Sequence, residues 1–93
     1  MDRQLKKTFG LWFNEQIQKY FGKKVRFADA VGYPVANIYK WLKDERIPNG
    51  YALSLIIETI AKQKSKQTNK EYEQCFADVS SEAIKCILGN NSV

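Results

Sequence analysis

The first quarter of the chain carries large apolar side chains at intervals that fit one side of an α-helix. The residues that follow this spacing are Leu5, Phe9, Trp12, Phe13, Ile17, Tyr20 and Phe21. A stripe of this kind must be buried against other elements of the fold. The pattern predicts a first helix over residues 5–21, and Gly22 is a typical residue to end it.

Two shorter apolar segments follow, separated by a tripeptide that begins with Gly32 and ends with Pro34. Gly32 tolerates a positive φ, and Pro34 disfavours helical backbone before it while suiting the first turn of a helix after it. The tripeptide therefore predicts a turn between a second helix at 25–31 and a third at about 34–43. The apolar residues of these two helices are Phe27, Ala28, Val31, Val35, Ile38, Trp41 and Leu42.

Residues 43–50 predict a polar loop, and Asn49 is a candidate N-cap for a fourth helix over about 51–62. The basic, hydrophilic segment 62–67 is expected to be a link with little to bury. Thr68 and Glu71 then form the Thr-x-x-Glu pattern of a capping box, which predicts the start of a fifth helix.

A sixth helix is predicted over residues 82–88, capped by Ser80 or Ser81 and closed by Gly89. No segment alternates apolar and polar residues in the manner of a strand. The chain is therefore predicted to be all-α, a compact bundle of about five or six helices.

The chain has no histidine, and its two cysteines, Cys75 and Cys86, have no spacing typical of a zinc or redox site. We expect two unpaired thiols, no metal and no cofactor. The sequence shows neither a glycine-rich phosphate loop nor paired carboxylates in an evident cleft, which argues against an enzyme. The absence of a signal peptide and of an apolar run long enough for a bilayer predicts a cytoplasmic protein without a membrane partner.

Charge is unevenly distributed along the 93 residues, whose net charge is +5. Residues 1–70 carry fourteen Lys and Arg against six Asp and Glu, whereas residues 71–93 carry one against four. A basic body followed by an acidic end is typical of a phosphate-binding module joined to a segment with another task.

The spacing Ala28-x3-Gly32-x5-Ile38-x2-Trp41-x6-Pro48 resembles the helix-turn-helix of the phage Cro and repressor family, the lambda-repressor-like domains. The resemblance covers residues 5–62. Three positions depart from the family pattern. The family commonly has Gln where this chain has Lys24, Ser or Thr where it has Pro34, and Gly where it has Asp44. Asp44 is compatible with the pattern because Asp tolerates a left-handed backbone better than most residues.

The resemblance implies that the third helix, about 34–43, is a recognition helix that enters the major groove of DNA. Its candidate base contacts are Val35, Ala36, Asn37, Tyr39 and Lys40. A lysine donates to guanine O6 and N7, and small apolar side chains meet thymine methyls. The candidate phosphate contacts are Lys24, Arg26, Lys43 and Arg46.

The predicted function is that of a sequence-specific transcriptional regulator that binds double-stranded DNA, a repressor from a phage, plasmid or mobile element. Residues 1–67 would form the DNA-binding domain, and residues 68–93 a helical extension. This extension either completes the core or makes the chain a homodimer on a (pseudo)palindromic operator. The alternative is an antitoxin or non-catalytic interaction module that engages a protein through residues 68–88. RNA is disfavoured because modules that stack bases on aromatic side chains mostly use sheets.

Overall fold

The computed structural model describes residues 7–91, which form five helices and no strand. The helices are α1 Phe9–Tyr20, α2 Lys24–Val31, α3 Val35–Leu42, α4 Gly50–Thr68 and α5 Tyr72–Asn91. The predicted all-α class is confirmed. The Cα radius of gyration is 13.0 Å, the size of a compact domain of about 100 residues, so no helix extends away as a separate arm.

Both ends of α1 are fixed by identifiable hydrogen bonds. The Thr8 hydroxyl accepts from the Leu11 N–H at 3.1 Å, which caps the helix and sets its start at Phe9. The predicted start at Leu5 lies outside the described residues. The helix ends at Tyr20, and the predicted role of Gly22 as the residue that stops it is confirmed, because Gly22 has a left-handed φ of 81° and donates to the Ile17 carbonyl at 2.8 Å.

Aromatic side chains from α1, α2 and α3 meet at Phe13, which is fully buried. Its ring centroid lies 5.4 Å from that of Phe9, 5.1 Å from that of Phe27 and 6.4 Å from that of Trp41. Such ring pairs add about 0.5–1.5 kcal/mol each beyond the area that they bury. One side chain of α1 thus holds the two short helices that follow.

The fourth helix is longer than predicted, since it continues through residues 62–67 to Thr68. The Asn49 cap is confirmed, because its side chain accepts from the Ala52 N–H at 2.8 Å. The predicted basic link is wrong because Lys, Gln and Ser do not break a helix that has already been nucleated. The C-cap residue Asn69, whose φ of 61° is left-handed, then ends the helix.

The capping box predicted at Thr68 does not form. Thr68 is the last residue of α4, and its hydroxyl donates back to the Lys64 carbonyl at 2.7 Å. The fifth helix starts at Tyr72 and runs through Ser80, Ser81 and Gly89 without a break, so the predicted sixth helix is part of α5. Single Ser or Gly residues lower helix propensity by about 1 kcal/mol at most, which packing of a long helix overrides.

One face of α5 completes the common core. Cys75, Val79 and Ala83 are fully buried in the same cluster as the α1 and α4 side chains. The indole Nε1 of Trp12 also donates to a carboxylate oxygen of Glu82 at 3.1 Å. Of the two possibilities left open for residues 68–88, core completion is therefore observed, and dimerisation stays a prediction.

The two cysteines are free thiols, as expected, with Cys75 buried and Cys86 half-buried. Burial raises the pKa of Cys86 above its ordinary value, because the thiolate loses solvation. The thiol is therefore neutral near pH 7.

The first turn of α1 approaches the end of α3 closely at Gly10. A Cβ at position 10 would overlap the carbonyl oxygen of Leu42 and lie 2.6 Å from a carboxylate oxygen of Asp44. The obstructing oxygen of Leu42 belongs to the backbone, so neither helix could yield without moving as a whole. Glycine at this position is thus required by the packing of α1 on α3.

We predict that Gly10→Ala destabilises the fold by about 3 kcal/mol, because the added methyl group overpacks a rigid contact. Gly50→Ala is the matched control, since a Cβ there meets nothing within 4 Å and Ala in the first turn of α4 should be neutral or stabilising by up to about 1 kcal/mol. Urea denaturation of both variants measures the difference. A Gly10→Ala variant as stable as the wild type would contradict the close approach.

Candidate nucleic-acid interface

A three-residue turn connects α2 to α3 and sets the direction in which α3 leaves it. Gly32 has a φ of 84° and donates to the Ala28 carbonyl at 2.9 Å, which ends α2. Pro34 is extended and is the N-cap residue of α3, one position earlier than a first-turn proline. A Cβ on residue 32 would meet no atom within 4 Å, so backbone conformation alone favours glycine here.

Tyr33, in the middle of this turn, fixes the turn to the core. Its ring packs edge-on against Trp41, with centroids 5.3 Å apart and an interplanar angle of 71°. The sequence analysis assigned no role to Tyr33, although an aromatic residue within a turn was a sign that the turn itself is packed. The contact joins the turn to the last part of α3.

The third helix has a buried side and an exposed side. Ile38 and Trp41 are buried, whereas Ala36, Tyr39, Lys40 and the C-cap residue Lys43 are exposed. These four have the i, i+3, i+4, i+7 spacing of one helix face, which we call the α3 outer face. A helix presented in this way has the dimensions needed to enter the major groove of DNA.

Two of the candidate base contacts lie at the margins of the α3 outer face. Val35 is half-buried and packs against the core, and Asn37 is also half-buried. The structure therefore groups Ala36, Tyr39 and Lys40 from the predicted base contacts, joined by Lys43, which was predicted to contact phosphate.

The remaining phosphate-contact candidates lie on segments next to α3. Lys24 and Arg26 are in the first turn of α2, and Arg46 is in the loop after α3. Arg26, Lys43 and Arg46 are exposed and Lys24 is half-buried. No candidate cation makes an ion pair with another residue in the described part of the chain, so their charges are available to an external anion.

Two exposed apolar residues near this surface were missed by the sequence analysis. Ile47 is exposed in the loop directly after Arg46, and Tyr51 is 72% exposed in the first turn of α4. The sequence did carry a sign of them, because both are apolar residues in or directly after the predicted polar loop at residues 43–50.

Asp44 fixes the end of α3 against α1. Its φ of 60° confirms the left-handed conformation expected at this position. Its side chain also accepts from the Gly10 N–H at 2.9 Å, which satisfies an otherwise unpaired donor in the first turn of α1 and places a negative charge at the positive end of that helix. The sequence analysis considered only the backbone of Asp44 and so missed this contact.

The surface offers hydrogen-bond donors, positive charge and an exposed helix face, which are the means of binding a polyanion. Among the residues that the structure describes, no group of His, Cys, Asp or Glu side chains could hold a metal ion. Within residues 7–91, no helix is long and apolar enough to cross a membrane.

Comparisons of the chain with protein-family models, with curated proteins and with solved structures gave no match. The assignment of a function to this surface therefore depends on the geometry and chemistry of its own residues.

We predict that Asp44→Gly lowers the free energy of unfolding by about 1 kcal/mol, because the left-handed backbone is kept while the capping acceptor is lost. Asp44→Asn should lose less, since an Asn side chain tolerates the same backbone and still accepts from Gly10. Thermal or urea unfolding of the two variants compares them. Equal stability of Asp44→Gly and the wild type would show that the hydrogen bond contributes nothing.

Proposed function

We propose that this protein is a sequence-specific regulator of transcription that binds double-stranded DNA through α3. The observation that carries the proposal is the α3 outer face, on which Tyr39, Lys40 and Lys43 project from a helix whose other side is buried. The helix α3 is held by the ring contact between Tyr33 and Trp41 and by the hydrogen bond from the Gly10 N–H to Asp44. A rigid, outward-facing helix is suited to reading base edges, which demands fixed donor positions.

The charge around α3 supports a nucleic acid as the partner. Lys24, Arg26 and Arg46 flank the helix from α2 and from the following loop. Contacts of such cations with phosphates supply affinity that is independent of sequence and fix the register of the protein on the duplex. A duplex presents phosphates on both sides of its major groove, and the proposed contacts to them come from the segments before and after α3 in the chain.

Each group on the α3 outer face has a distinct role in the proposal. Lys40 donates to guanine O6 or N7, and Ala36 contacts a thymine methyl. Tyr39, 45% exposed, offers a ring edge for apolar contact and a hydroxyl for a hydrogen bond. Specificity then comes from Ala36, Tyr39 and Lys40, while the surrounding cations provide affinity.

The proposal is tested with the preferred duplex selected from a random-sequence pool and with a scrambled duplex of equal length. We predict that Lys40→Ala weakens binding to the preferred duplex by about 1–3 kcal/mol and relaxes the preference at one base pair. Lys24→Ala should weaken binding to both duplexes alike and lower the slope of log K against log salt by about one. Lys85→Ala, on exposed α5 surface, is the control and should change neither.

Equal losses on both duplexes from Lys40→Ala and Lys24→Ala would show that Lys40 does not read bases. Selection that yields no preferred duplex, together with equal competition by RNA of the same sequence, would contradict the proposed function itself.

A further inference from the structure

A hollow lies between α1, α4 and α5, on the face of α1 that carries Trp12 rather than the face that carries Gly10 and Phe13. Its volume is about 400 Å³, within the range of roughly 300–1,000 Å³ typical of sites for small molecules. None of the candidate DNA contacts lines it. We call it the α1–α5 hollow, and the charged residues that line it are Lys7, Lys19, Lys64, Lys85, Glu15 and Glu82.

The α1–α5 hollow has an excess of positive charge. Its four lysines and two carboxylates give a balance of +2. Lys7 and Glu15 compensate each other in an ion pair of 2.8 Å. Lys19 and Lys64 make no ion pair with any other residue that the structure describes. These two lysines are therefore available to an anion that enters the hollow.

Lys19 and Lys64 share one end of the hollow. The side-chain amide of Gln67, one turn after Lys64, donates to the Tyr20 carbonyl at 3.0 Å, which joins the end of α1 to α4 beside Lys19. A phosphate monoester suits this end, because it carries a charge of about −1.5 to −2 at pH 7 and three acceptor oxygens. A single carboxylate would compensate only half of the excess charge.

The other groups that line the hollow favour a sugar over a nucleobase as the rest of the ligand. The carboxylate of Glu82 accepts from the Trp12 indole and has further acceptor sites for hydroxyl groups. Gln16, which is half-buried, adds both a donor and an acceptor. Trp12 and Tyr20 are only 3% and 6% exposed, so their ring faces are covered by the core and cannot stack on a base.

We propose that the α1–α5 hollow binds a sugar phosphate, with the phosphate held by Lys19 and Lys64 and the sugar hydroxyls by Gln16 and Glu82. The site is separate from the α3 outer face, and the proposal does not depend on DNA binding. A ligand in this position contacts α1, α4 and α5 at once. Its binding should therefore raise the Tm of the chain as the ligand concentration increases.

The experiment is a calorimetric titration of the full chain without DNA, with glucose 6-phosphate up to about 10 mM, a range that includes weak affinities. We expect saturable binding of one ligand per chain. The dissociation constant should be at least about tenfold lower than for inorganic phosphate or glucose, because only the phosphorylated sugar engages both ends of the hollow.

The phosphate end is tested with Lys64→Gln, which should raise the dissociation constant for glucose 6-phosphate about tenfold, because a charge-assisted hydrogen bond is lost. Lys66→Gln is the matched control. Lys66 is exposed on the same helix and does not line the α1–α5 hollow. Its substitution removes the same charge and should leave the constant unchanged at about 0.15 M salt, which screens distant charges.

The sugar end is tested with Glu82→Gln, which keeps an acceptor for the Trp12 indole but removes the carboxylate. The measured quantity is the dissociation constant for inorganic phosphate divided by that for glucose 6-phosphate. This ratio should fall about threefold or more, because a neutral amide accepts more weakly from hydroxyl groups and repels phosphate less. A merely structural role of Glu82 would change both constants alike.

A chain that shows no saturable binding of glucose 6-phosphate would overturn the proposal, as would equal losses from Lys64→Gln and Lys66→Gln. Binding of inorganic phosphate or of AMP as tight as that of glucose 6-phosphate would overturn the assignment of the sugar. Because no DNA is present, these outcomes are independent of whether the chain binds a duplex.

Discussion

The contact between the first turn of α1 and the last turn of α3 is the constraint on which the position of the candidate interface depends. Gly10 lets the two backbones approach to a distance that no other residue allows, and Asp44 joins them with a hydrogen bond. Since α1 also carries Phe13, the same helix holds α3 at its end and along its buried side. The orientation of the α3 outer face is therefore set by α1 as well as by the turn that precedes α3.

Local features of the fold were predictable because their causes lie within a few residues. Gly22, Gly32 and Asn49 each act on neighbouring backbone, and the sequence predicted all three roles. The apolar spacing of α1 and α3 likewise predicted which sides are buried, because a period of 3.6 residues is a direct consequence of helix geometry. For the candidate interface, the resemblance to helix-turn-helix domains named Ala36, Tyr39 and Lys40 among the outward residues of the third helix, and all three are exposed.

The predictions that were wrong or incomplete depend on distant partners. A Thr-x-x-Glu pattern predicts a helix start only if the preceding residues are not already helical, and α4 continues through Thr68. The role of the Asp44 side chain depends on Gly10, which lies 34 residues away. Val35 was placed on the apolar side of the third helix by its spacing and among the base contacts by the resemblance; it is half-buried against the core, as the spacing indicated.

The helix α1 connects the C-terminal part of the fold to the candidate interface. It packs against α3 through Phe13 and Gly10, and its Trp12 indole donates to Glu82 of α5. Cys75, Val79 and Ala83 place α5 in the same core. A substitution that loosens α5 would therefore be felt at α3 through α1, because the α3 outer face keeps fixed donor positions only while the helix beneath it is packed.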